Sequence, residues 1–234
     1  MSTFFASKLD DSVLVLNEEE SWHCAKVLRM KAGEEIEATD GRGLSWEAKL
    51  LTVNEKRTTA IISNECVARK KNYSFHLAFA PTKSTDRLEW MIEKSVELGV
   101  DSFTPLLCKN SERKNVNASR LVKIIESAVK QSKQSFLPVI NEMQKFQEFI
   151  EQYKNFQGVK LIAHCFHENR IQLSELNSLQ KDFIILIGPE GDFRKEEVSL
   201  AWSMGFQGIS LGNSRLRTET AAIYTAGFLR SRFE

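Results

Sequence analysis

Two kinds of segment alternate along the chain after Tyr73. Short apolar stretches of strand length occur at 75–80, 103–107, 159–164 and 183–187, and segments with the spacing of amphipathic helices lie between them. Strands that are separated by helices pair in parallel, and a parallel sheet needs helices on both of its faces. This alternation therefore predicts an α/β fold with a mostly parallel sheet.

The first 70 residues follow a different pattern. Three segments rich in β-branched and apolar residues, at 35–40, 45–53 and 58–65, are bounded by turn residues, and a helical segment at 18–28 precedes them. A polar run, Arg69-Lys70-Lys71-Asn72, then separates this part from the rest. We therefore predict a small β-rich domain over residues 1–70 and an α/β domain over residues 71–234.

Nothing in the composition indicates a membrane, a metal or a disulfide framework. No apolar run approaches the roughly 18 residues that span a bilayer, and residues 1–16 lack the features of a signal peptide. The four cysteines form no Cys-x-x-Cys pair, and the four histidines lack metal-ligand spacing. We expect a cytoplasmic protein without a bound metal.

The formal net charge of +1 conceals a local excess of positive charge. Between residues 109 and 133 there are seven Lys or Arg residues and only two Glu residues. Such a cluster would suit a surface that binds phosphate groups, and a solvated helix face would produce it equally well. The basic residues are Lys109, Arg113, Lys114, Arg120, Lys123, Lys130 and Lys133.

Two junctions near the C-terminal end each join a predicted strand to a helix through a glycine turn. The first contains Gly188-Pro189-Glu190-Gly191, and the second runs from Leu211-Gly212 to Ala222. Ligands of open α/β sheets bind at the carboxyl ends of strands, where glycine lets the backbone approach closely. Two such turns side by side would form a pocket of cofactor size. Either could also be only a tight connection.

Longer motifs carry a resemblance to a known family. They are Phe4-Phe5, His23-x-x-Lys26-Val27-Leu28-Arg29, Asp40-Gly41-Arg42-Gly43, Lys83-Ser84-x-Asp86-Arg87-x-Glu89-Trp90-Met91-Ile92-x-Lys94-Ser95-Val96-Glu97-Leu98-Gly99, Gly188-Pro189-Glu190-Gly191 and Leu216-Arg217-Thr218-Glu219-Thr220-Ala221-Ala222. In these motifs and their order the chain resembles the bacterial methyltransferases that modify N3 of a uridine in small-subunit (16S) ribosomal RNA. They are usually called the RsmE family and belong to the SPOUT superfamily.

The resemblance implies a fold, a cofactor and partners. A small PUA-like β-barrel domain would bind RNA, and the SPOUT α/β domain would contain a parallel sheet and a deep trefoil knot. The cofactor would be S-adenosyl-L-methionine, held in the knot loops, and the substrate would be 16S rRNA within the small ribosomal subunit. The resemblance also implies a homodimer.

The same resemblance suggests site residues. The expected catalytic residues are Arg217, to stabilise negative charge on the uracil, and Glu219, to orient or accept a proton. The expected cofactor-binding residues are Leu186, Ile187, Gly188, Gly191, Leu211, Gly212 and Leu216. The expected RNA-binding residues are Lys26, Arg29, Arg42, Lys83 and Arg87. His164 ends a predicted strand, and a core or strand-end position is favoured for it over one in the pocket.

Two departures from the family pattern and two alternative functions remain open. Asp192 stands where relatives usually have a second glycine, and we expect it to cap the following helix. Asn213-Ser214-Arg215 replaces the more typical proline-arginine-isoleucine run. The alternatives are a SPOUT methyltransferase that acts on another RNA position, and a non-catalytic RNA-binding factor of ribosome assembly.

Overall fold

The chain divides into two compact units. The computed structural model describes residues 1–166, 169–177 and 179–233. The first unit comprises residues 1–70 together with 129–137, and the second comprises 71–128 and the described residues from 138 onward. Residues 129–137 therefore lie in the same unit as the N-terminal segment, although they follow it by almost 60 residues in the sequence.

The first unit is a closed barrel of five strands. They are β1 (Thr3–Lys8), β2 (Val13–Leu16), β3 (Glu35–Thr39), β4 (Leu44–Thr52) and β5 (Thr59–Val67), and their order around the barrel is β1-β2-β5-β4-β3. β1 closes the barrel by pairing in parallel with β3, while the other neighbours are antiparallel. The predicted β-barrel domain is confirmed.

Alternation of side chains along the strands builds the core of the barrel. In β4, Trp46, Ala48 and Leu50 are buried in this core, whereas Glu47 and Lys49 are exposed. Successive side chains of a strand point to opposite faces. A run with this period of two can therefore fill a barrel on one face and meet water on the other.

The helical segment predicted at 18–28 is confirmed, but its second half is a π-helix instead of an α-helix. α1 (Glu18–Trp22) begins after Asn17, whose Oδ1 accepts a hydrogen bond of 2.8 Å from the Glu20 amide. The chain continues as a π-helical turn over His23–Val27, in which the Leu28 amide donates to the His23 carbonyl at 3.0 Å. This turn carries Cys24 into the barrel core.

The second unit alternates strands and helices. Its elements are β6 (Ser74–Phe79), α2 (Thr85–Glu97), β7 (Ser102–Leu107), α3 (Ala118–Gln131), β8 (Val139–Ile140), β9 (Gln144–Lys145), α4 (Phe146–Gln152), β10 (Val159–Ala163), β11 (Arg170–Gln172), β12 (Asp182–Ile187), α5 (Lys195–Ser203), β13 (Gln207–Ser210) and α6 (Thr218–Phe233). The end of α3 belongs to the first unit. The short strands β8, β9 and β11 are too brief to show a periodic pattern in the sequence.

These strands form one parallel sheet, as predicted. Their order is β11-β13-β10-β12-β6-β7-β8, and β9 pairs with β7. Every pairing is parallel. β12 lies between β6 and β10, and its residues 183–187 are all buried because helices cover both faces. The central position of β12 explains why its sequence is a continuous apolar run.

A buried histidine links the stability of the second unit to pH. His76 on β6 is 9% exposed, and its Nε2 lies 2.8 Å from Oγ1 of Thr104 on β7. Burial lowers the pKa of His76 to about 4. The folded protein therefore binds this proton less readily than the unfolded chain, whose histidines titrate near 6.5.

Acidification should consequently destabilise the protein through His76. This contribution is absent above a pH of about 6.5 and grows as the pH falls towards about 4, reaching roughly 2 kcal/mol near pH 5. We expect His76→Gln to reduce the loss of unfolding free energy between about pH 7 and about pH 5, as measured by urea titration. His23→Gln in the barrel is the control. An unchanged pH dependence in His76→Gln would contradict this assignment.

The helices of the described part of the chain are not built to cross a membrane. None of them is both long enough and apolar enough to span a bilayer.

Candidate functional site

A cavity of about 270 Å³ lies where three neighbouring strands end. β10, β12 and β13 are adjacent and parallel, so their carboxyl ends meet at one edge of the sheet. Ligands of α/β sheets bind at such an edge. The lining residues are Ala163, His164, Cys165, Arg170, Ile187, Gly188, Pro189, Glu190, Asp192, Ile209, Ser210, Leu211, Gly212, Ser214, Arg215, Leu216, Arg217, Thr218 and Ala221.

Hydrogen bonds tie the two glycine turns to each other. Oγ1 of Thr218, at the start of α6, donates to the carbonyl of Gly188 at 3.0 Å. Nη2 of Arg215 lies 3.4 Å from the carbonyl of Glu190. Because Thr218 is buried, the first of these bonds is shielded from water. The turn after β12 and the turn after β13 therefore form one wall of the cavity.

Gly212 lets the second turn open towards the cavity. Its φ of +122° lies in a region that residues with a side chain rarely adopt. A Cβ on Gly212 would meet no atom of the described residues within 4 Å, so this part of the chain leaves the space beside Gly212 open. The turn can therefore offer its backbone groups to a ligand without a side chain in between.

The end of β10 supplies the third side of the cavity. Oδ2 of Asp192 accepts a hydrogen bond of 2.8 Å from the Cys165 amide, which ties the end of β10 to the turn after β12. Nη1 of Arg170 donates to the His164 carbonyl at 3.0 Å. These two bonds join segments that are 6 and 27 residues apart. The loop after β10 is thus held beside both glycine turns.

His164 is both buried and part of the cavity wall. It is 5% exposed. Burial lowers the pKa of His164, so its imidazole is neutral near pH 7. The sequence interpretation favoured a core or strand-end position, and the structure adds a position in the cavity wall.

The expectation that Asp192 caps the following helix is wrong. Asp192 has a φ of +62°, and α5 begins only at Lys195, with Arg194 in the N-cap position. Asp and Asn adopt this left-handed conformation more readily than other residues with side chains. Asp192 therefore keeps the backbone turn for which relatives use glycine, and its carboxylate is free to bind the Cys165 amide.

The structure brings five of the seven predicted cofactor residues to the cavity. These are Ile187, Gly188, Leu211, Gly212 and Leu216. Leu186 precedes Ile187 on β12, and it is fully buried in the apolar core instead. Gly191 is absent from the lining, and its carbonyl accepts a hydrogen bond of 3.2 Å from Nδ2 of Asn110.

The two predicted catalytic residues lie in different surroundings. Arg217 is exposed and lines the cavity. Glu219 is buried at the start of α6 and does not line the cavity, and its Oε1 lies 3.7 Å from Nε of Arg87 on α2. Glu219 is therefore placed to hold α2 against α6 beside the site.

The predicted RNA-binding residues occur in both units. In the barrel, Lys26 pairs with Glu55 at 2.7 Å, Arg29 is exposed, and Arg42 lines an open groove with Lys56 and Arg57. In the second unit, the Lys83 ammonium pairs with Glu112 at 2.9 Å. The Lys83 amide donates to the Glu190 carboxylate at 3.1 Å. Lys83 therefore lies beside the turn after β12.

Much of the basic run at 109–133 has structural partners. Arg113 donates to the carbonyls of Thr82 and Lys83, and Arg120 pairs with Glu89. Within the first unit, Lys130 pairs with Glu20 and Lys133 pairs with Glu37, both at 2.7 Å. For these four residues the charge is largely used inside the protein, whereas Lys109 and Lys114 are exposed.

Sequence reasoning missed four residues around the end of β10. Ala163, Cys165 and Arg170 line the cavity, and His164 was not chosen as a site residue. The available signal was the predicted strand at 159–164, because a strand next to β12 ends at the same edge of the sheet. The sequence alone did not show that β10 lies next to β12 and β13, and this strand order is what places the end of β10 at the cavity.

No metal cluster is evident at the cavity. Among the described residues, no three His, Cys, Asp or Glu side chains are grouped closely enough to hold a metal ion.

Comparison with protein families gives two matches. A family model described as an RNA methyltransferase domain matches residues 69–230. A second, described as an RNA methyltransferase PUA domain, matches residues 16–63. The first match covers more than half of the chain and includes every residue of the cavity wall.

Individual relatives give a consistent result. Ribosomal RNA small subunit methyltransferase E of Mesomycoplasma hyopneumoniae is 37% identical over 153 residues, which are 63% of this chain and 64% of that protein, so less than two thirds of its length is matched. The crystal structure of a probable rRNA-methyltransferase from Porphyromonas gingivalis is 36% identical, with a TM-score of 0.86 over 100% of this chain and 98% of the other.

A further structure has a bound ligand. Ribosomal RNA small subunit methyltransferase E from Neisseria gonorrhoeae was crystallised bound to S-adenosyl methionine. It is 25% identical to this chain, with a TM-score of 0.89, and the match covers 100% of this chain and 98% of the other.

Proposed function

The chain belongs to the RNA methyltransferase family, and on that premise we propose that it methylates N3 of a specific uridine in 16S ribosomal RNA with S-adenosyl-L-methionine as methyl donor. The observation that carries this proposal is the cavity between the two glycine turns, closed by the hydrogen bond from Thr218 to Gly188. The family membership predicted from the sequence motifs is confirmed by the matching family models and by the similar solved structures.

The residues of the cavity fit the proposed cofactor. Apolar side chains of Ile187, Leu211 and Leu216 suit a purine ring, and backbone groups of Gly188 and Gly212 suit its polar edge and the ribose. When bound, S-adenosyl-L-methionine supplies an electrophilic methyl group on a sulfonium. We assign Leu186 and Gly191 to supporting positions, because they lie next to lining residues without reaching the cavity.

Arg217 and Glu219 have separate proposed roles. N3 of uracil must lose its proton, which leaves negative charge on the ring and its carbonyl oxygens. Arg217, exposed at the cavity wall, is suited to stabilise that charge. Glu219 is proposed to orient the site through its contact with Arg87, since it lies outside the cavity.

The two domains divide the work in this proposal. Residues 1–70 would bind RNA, with Lys26, Arg29 and Arg42 as phosphate contacts. Residues 71–234, apart from 129–137, which belong to the first unit, would carry out methyl transfer, with Lys83 and Arg87 as contacts near the site. Phosphate contacts fix the position of the RNA but carry no sequence information. Specificity would therefore come from an unpaired base that enters the cavity.

Assembly, location and knot are further parts of the proposal. Trp90 on α2 is 47% exposed and Tyr224 on α6 is 45% exposed, and these two helices pack together. Large exposed aromatic side chains are typical of interfaces, which supports a homodimer.

A ribosomal substrate supports a cytoplasmic location. The trefoil knot in residues 71–234 remains a prediction from the family resemblance.

A methylation assay on small ribosomal subunits tests the function. We expect transfer of one labelled methyl group per subunit to unmodified subunits, and mass spectrometry of the RNA should locate it on N3 of a uridine. Subunits that already carry the modification are the control for transfer and should accept no further methyl group. Separately, calorimetry should show saturable binding of S-adenosyl-L-methionine to the protein.

Each alternative function has a distinct outcome in this assay. A methyl group found on another base or on a ribose would support a SPOUT methyltransferase that acts elsewhere on RNA. Binding of RNA without any uptake of S-adenosyl-L-methionine would support a non-catalytic factor of ribosome assembly.

A further inference from the structure

A second, larger groove lies beside the methyl-transfer cavity. Its volume is about 610 Å³, and it is lined by residues of the second unit only. Leu107, Cys108, Phe146 and Leu200 contribute its apolar residues. The other lining residues are Lys109, Ser111, Lys114, Lys145, Gln147, Arg194, Glu196 and Glu197.

The groove is connected to the turn after β12 by one side chain. Nδ2 of Asn110 donates to the carbonyls of Gly191 and Asp192 at 3.2 and 3.1 Å. Oδ1 of Asn110 accepts a hydrogen bond of 3.1 Å from Nε of Arg194, which lines the groove. Asp192 lines the cavity, so a ligand in the groove would lie directly behind this turn.

The charge of the groove favours an anion. Four cationic side chains line it, against two carboxylates. One of these carboxylates, Glu197, is buried and accepts hydrogen bonds of 2.9 Å from the amides of Lys109 and Arg194. Its charge is thus partly satisfied by backbone donors, and Glu196 is the acidic group left exposed.

The cations of the groove differ in how far they are already used. Lys145 pairs with Glu148 at 3.2 Å. Over residues 1–166, 169–177 and 179–233, no carboxylate lies within 4 Å of the ammonium of Lys109 or Lys114. Arg194 donates from Nε to Asn110, and the residue is exposed. Lys109, Lys114 and Arg194 can therefore bind phosphate without breaking an ion pair.

We propose that this groove binds the phosphate backbone of the substrate RNA next to the target base, with Lys109, Lys114 and Arg194 as its phosphate contacts. The inference rests on the proposed function, because the ligand is taken to be the RNA whose base enters the neighbouring cavity. A groove of this volume accommodates a ligand of nucleotide size. Asn110 then holds the cavity turn at a constant distance from the bound backbone.

The test compares two neutralised pairs of lysines. Lys109→Gln combined with Lys114→Gln removes two groove cations. Lys154→Gln combined with Lys181→Gln is the control, which removes two positive charges elsewhere in the second unit; Lys154 pairs with Glu151 at 3.1 Å, and Lys181 is exposed. Both control residues precede strands of the same sheet, β10 and β12, and so lie towards its opposite edge. The probe is a 16S ribosomal RNA transcript, bound without S-adenosyl-L-methionine at salt concentrations from about 50 to about 200 mM.

We expect the double variant Lys109→Gln/Lys114→Gln, called the groove pair, to weaken RNA binding about tenfold or more. It should also lower the slope of log Kd against log salt by about 1.4 to 1.8, because each lost phosphate contact removes about 0.7 to 0.9 from the slope. The control pair should match the wild type, and the affinity of the groove pair for S-adenosyl-L-methionine should stay within about twofold. A groove pair with the affinity and salt slope of the control would overturn the proposal.

Two further outcomes separate this inference from its premise. If the wild type binds RNA through the groove but transfers no methyl group, the groove remains and the proposed function fails. If the groove variants bind naked RNA normally and lose affinity only for assembled small subunits, the groove contacts a ribosomal protein and the inference fails.

Discussion

Replacing Arg217 with alanine is expected to lower kcat for methyl transfer by about 100- to 1000-fold, which is the usual effect of removing one preorganised donor from a developing negative charge. Arg217 lines the cavity, and the next residue, Thr218, is fixed to Gly188 by a hydrogen bond of 3.0 Å. The backbone of Arg217 is therefore held in place at the cavity wall. A guanidinium there can stabilise the deprotonated uracil throughout the reaction.

The affinity for S-adenosyl-L-methionine distinguishes catalysis from cofactor binding. We expect calorimetry to give Arg217→Ala nearly the wild-type Kd, because the proposed contacts of the cofactor are apolar side chains and backbone groups. Arg217→Lys should recover part of the rate, since it keeps the charge but loses the planar donor array. The control is Arg232→Ala, an exposed residue near the other end of α6. Near-normal turnover of Arg217→Ala would remove its catalytic role.

Gly208→Ala is expected to destabilise the protein by about 1 to 3 kcal/mol, the usual cost of forcing extra atoms into a packed interior. Gly208 lies on β13, between β10 and β11. A Cβ there would lie 2.5 Å from the carbonyl oxygen of Asn169 and 2.7 Å from Nε2 of His164. The first of these atoms belongs to the backbone, so the chain immediately before β11 would have to move.

Gly227 on α6 provides a matched substitution with the opposite expected sign. A Cβ at Gly227 would lie 4.0 Å from Cδ1 of Leu98, which is an ordinary contact distance. Alanine is favoured over glycine inside a helix by about 1 kcal/mol. Gly227→Ala should therefore raise Tm, whereas Gly208→Ala should lower it by roughly 2 to 4 °C for each kcal/mol lost.

The Gly208 variant should also bind the cofactor less well. His164 lines the cavity, and a methyl group at Gly208 would push its ring from the present position. Differential scanning calorimetry and a titration with S-adenosyl-L-methionine measure the two effects. Equal Tm changes in Gly208→Ala and Gly227→Ala would show that the close approach at β13 does not limit stability.

The elements that were predicted well are those with a long local pattern. The β-branched and apolar residues at 45–53, bounded by turn residues, indicated a strand, and the apolar run at 183–187 indicated a buried strand of a parallel sheet. Both patterns depend only on neighbouring residues and on the geometry of a strand. The two glycine turns were found for the same reason, since each follows such a strand directly.

The cavity wall could be predicted only where it coincides with these turns. Leu186 and Ile187 are adjacent on β12, yet only Ile187 reaches the cavity, because neighbouring side chains of a strand point to opposite faces. Which face borders the cavity depends on the strand order. The same order brings His164 and Arg170 into the wall, and no local pattern marks them as site residues.

The sequence by itself therefore determined the two folds, the parallel sheet, the family and the glycine turns, because periodicity, turn residues and long motifs are local properties of the chain. Only the tertiary structure decided which charges are free and which side chains meet at the site. Lys130 and Lys133 pair with glutamates 110 and 96 residues away, while Lys109 and Lys114 remain exposed at a groove. Contacts between such distant residues depend on how the strands and helices pack, and the order of residues along the chain does not show this.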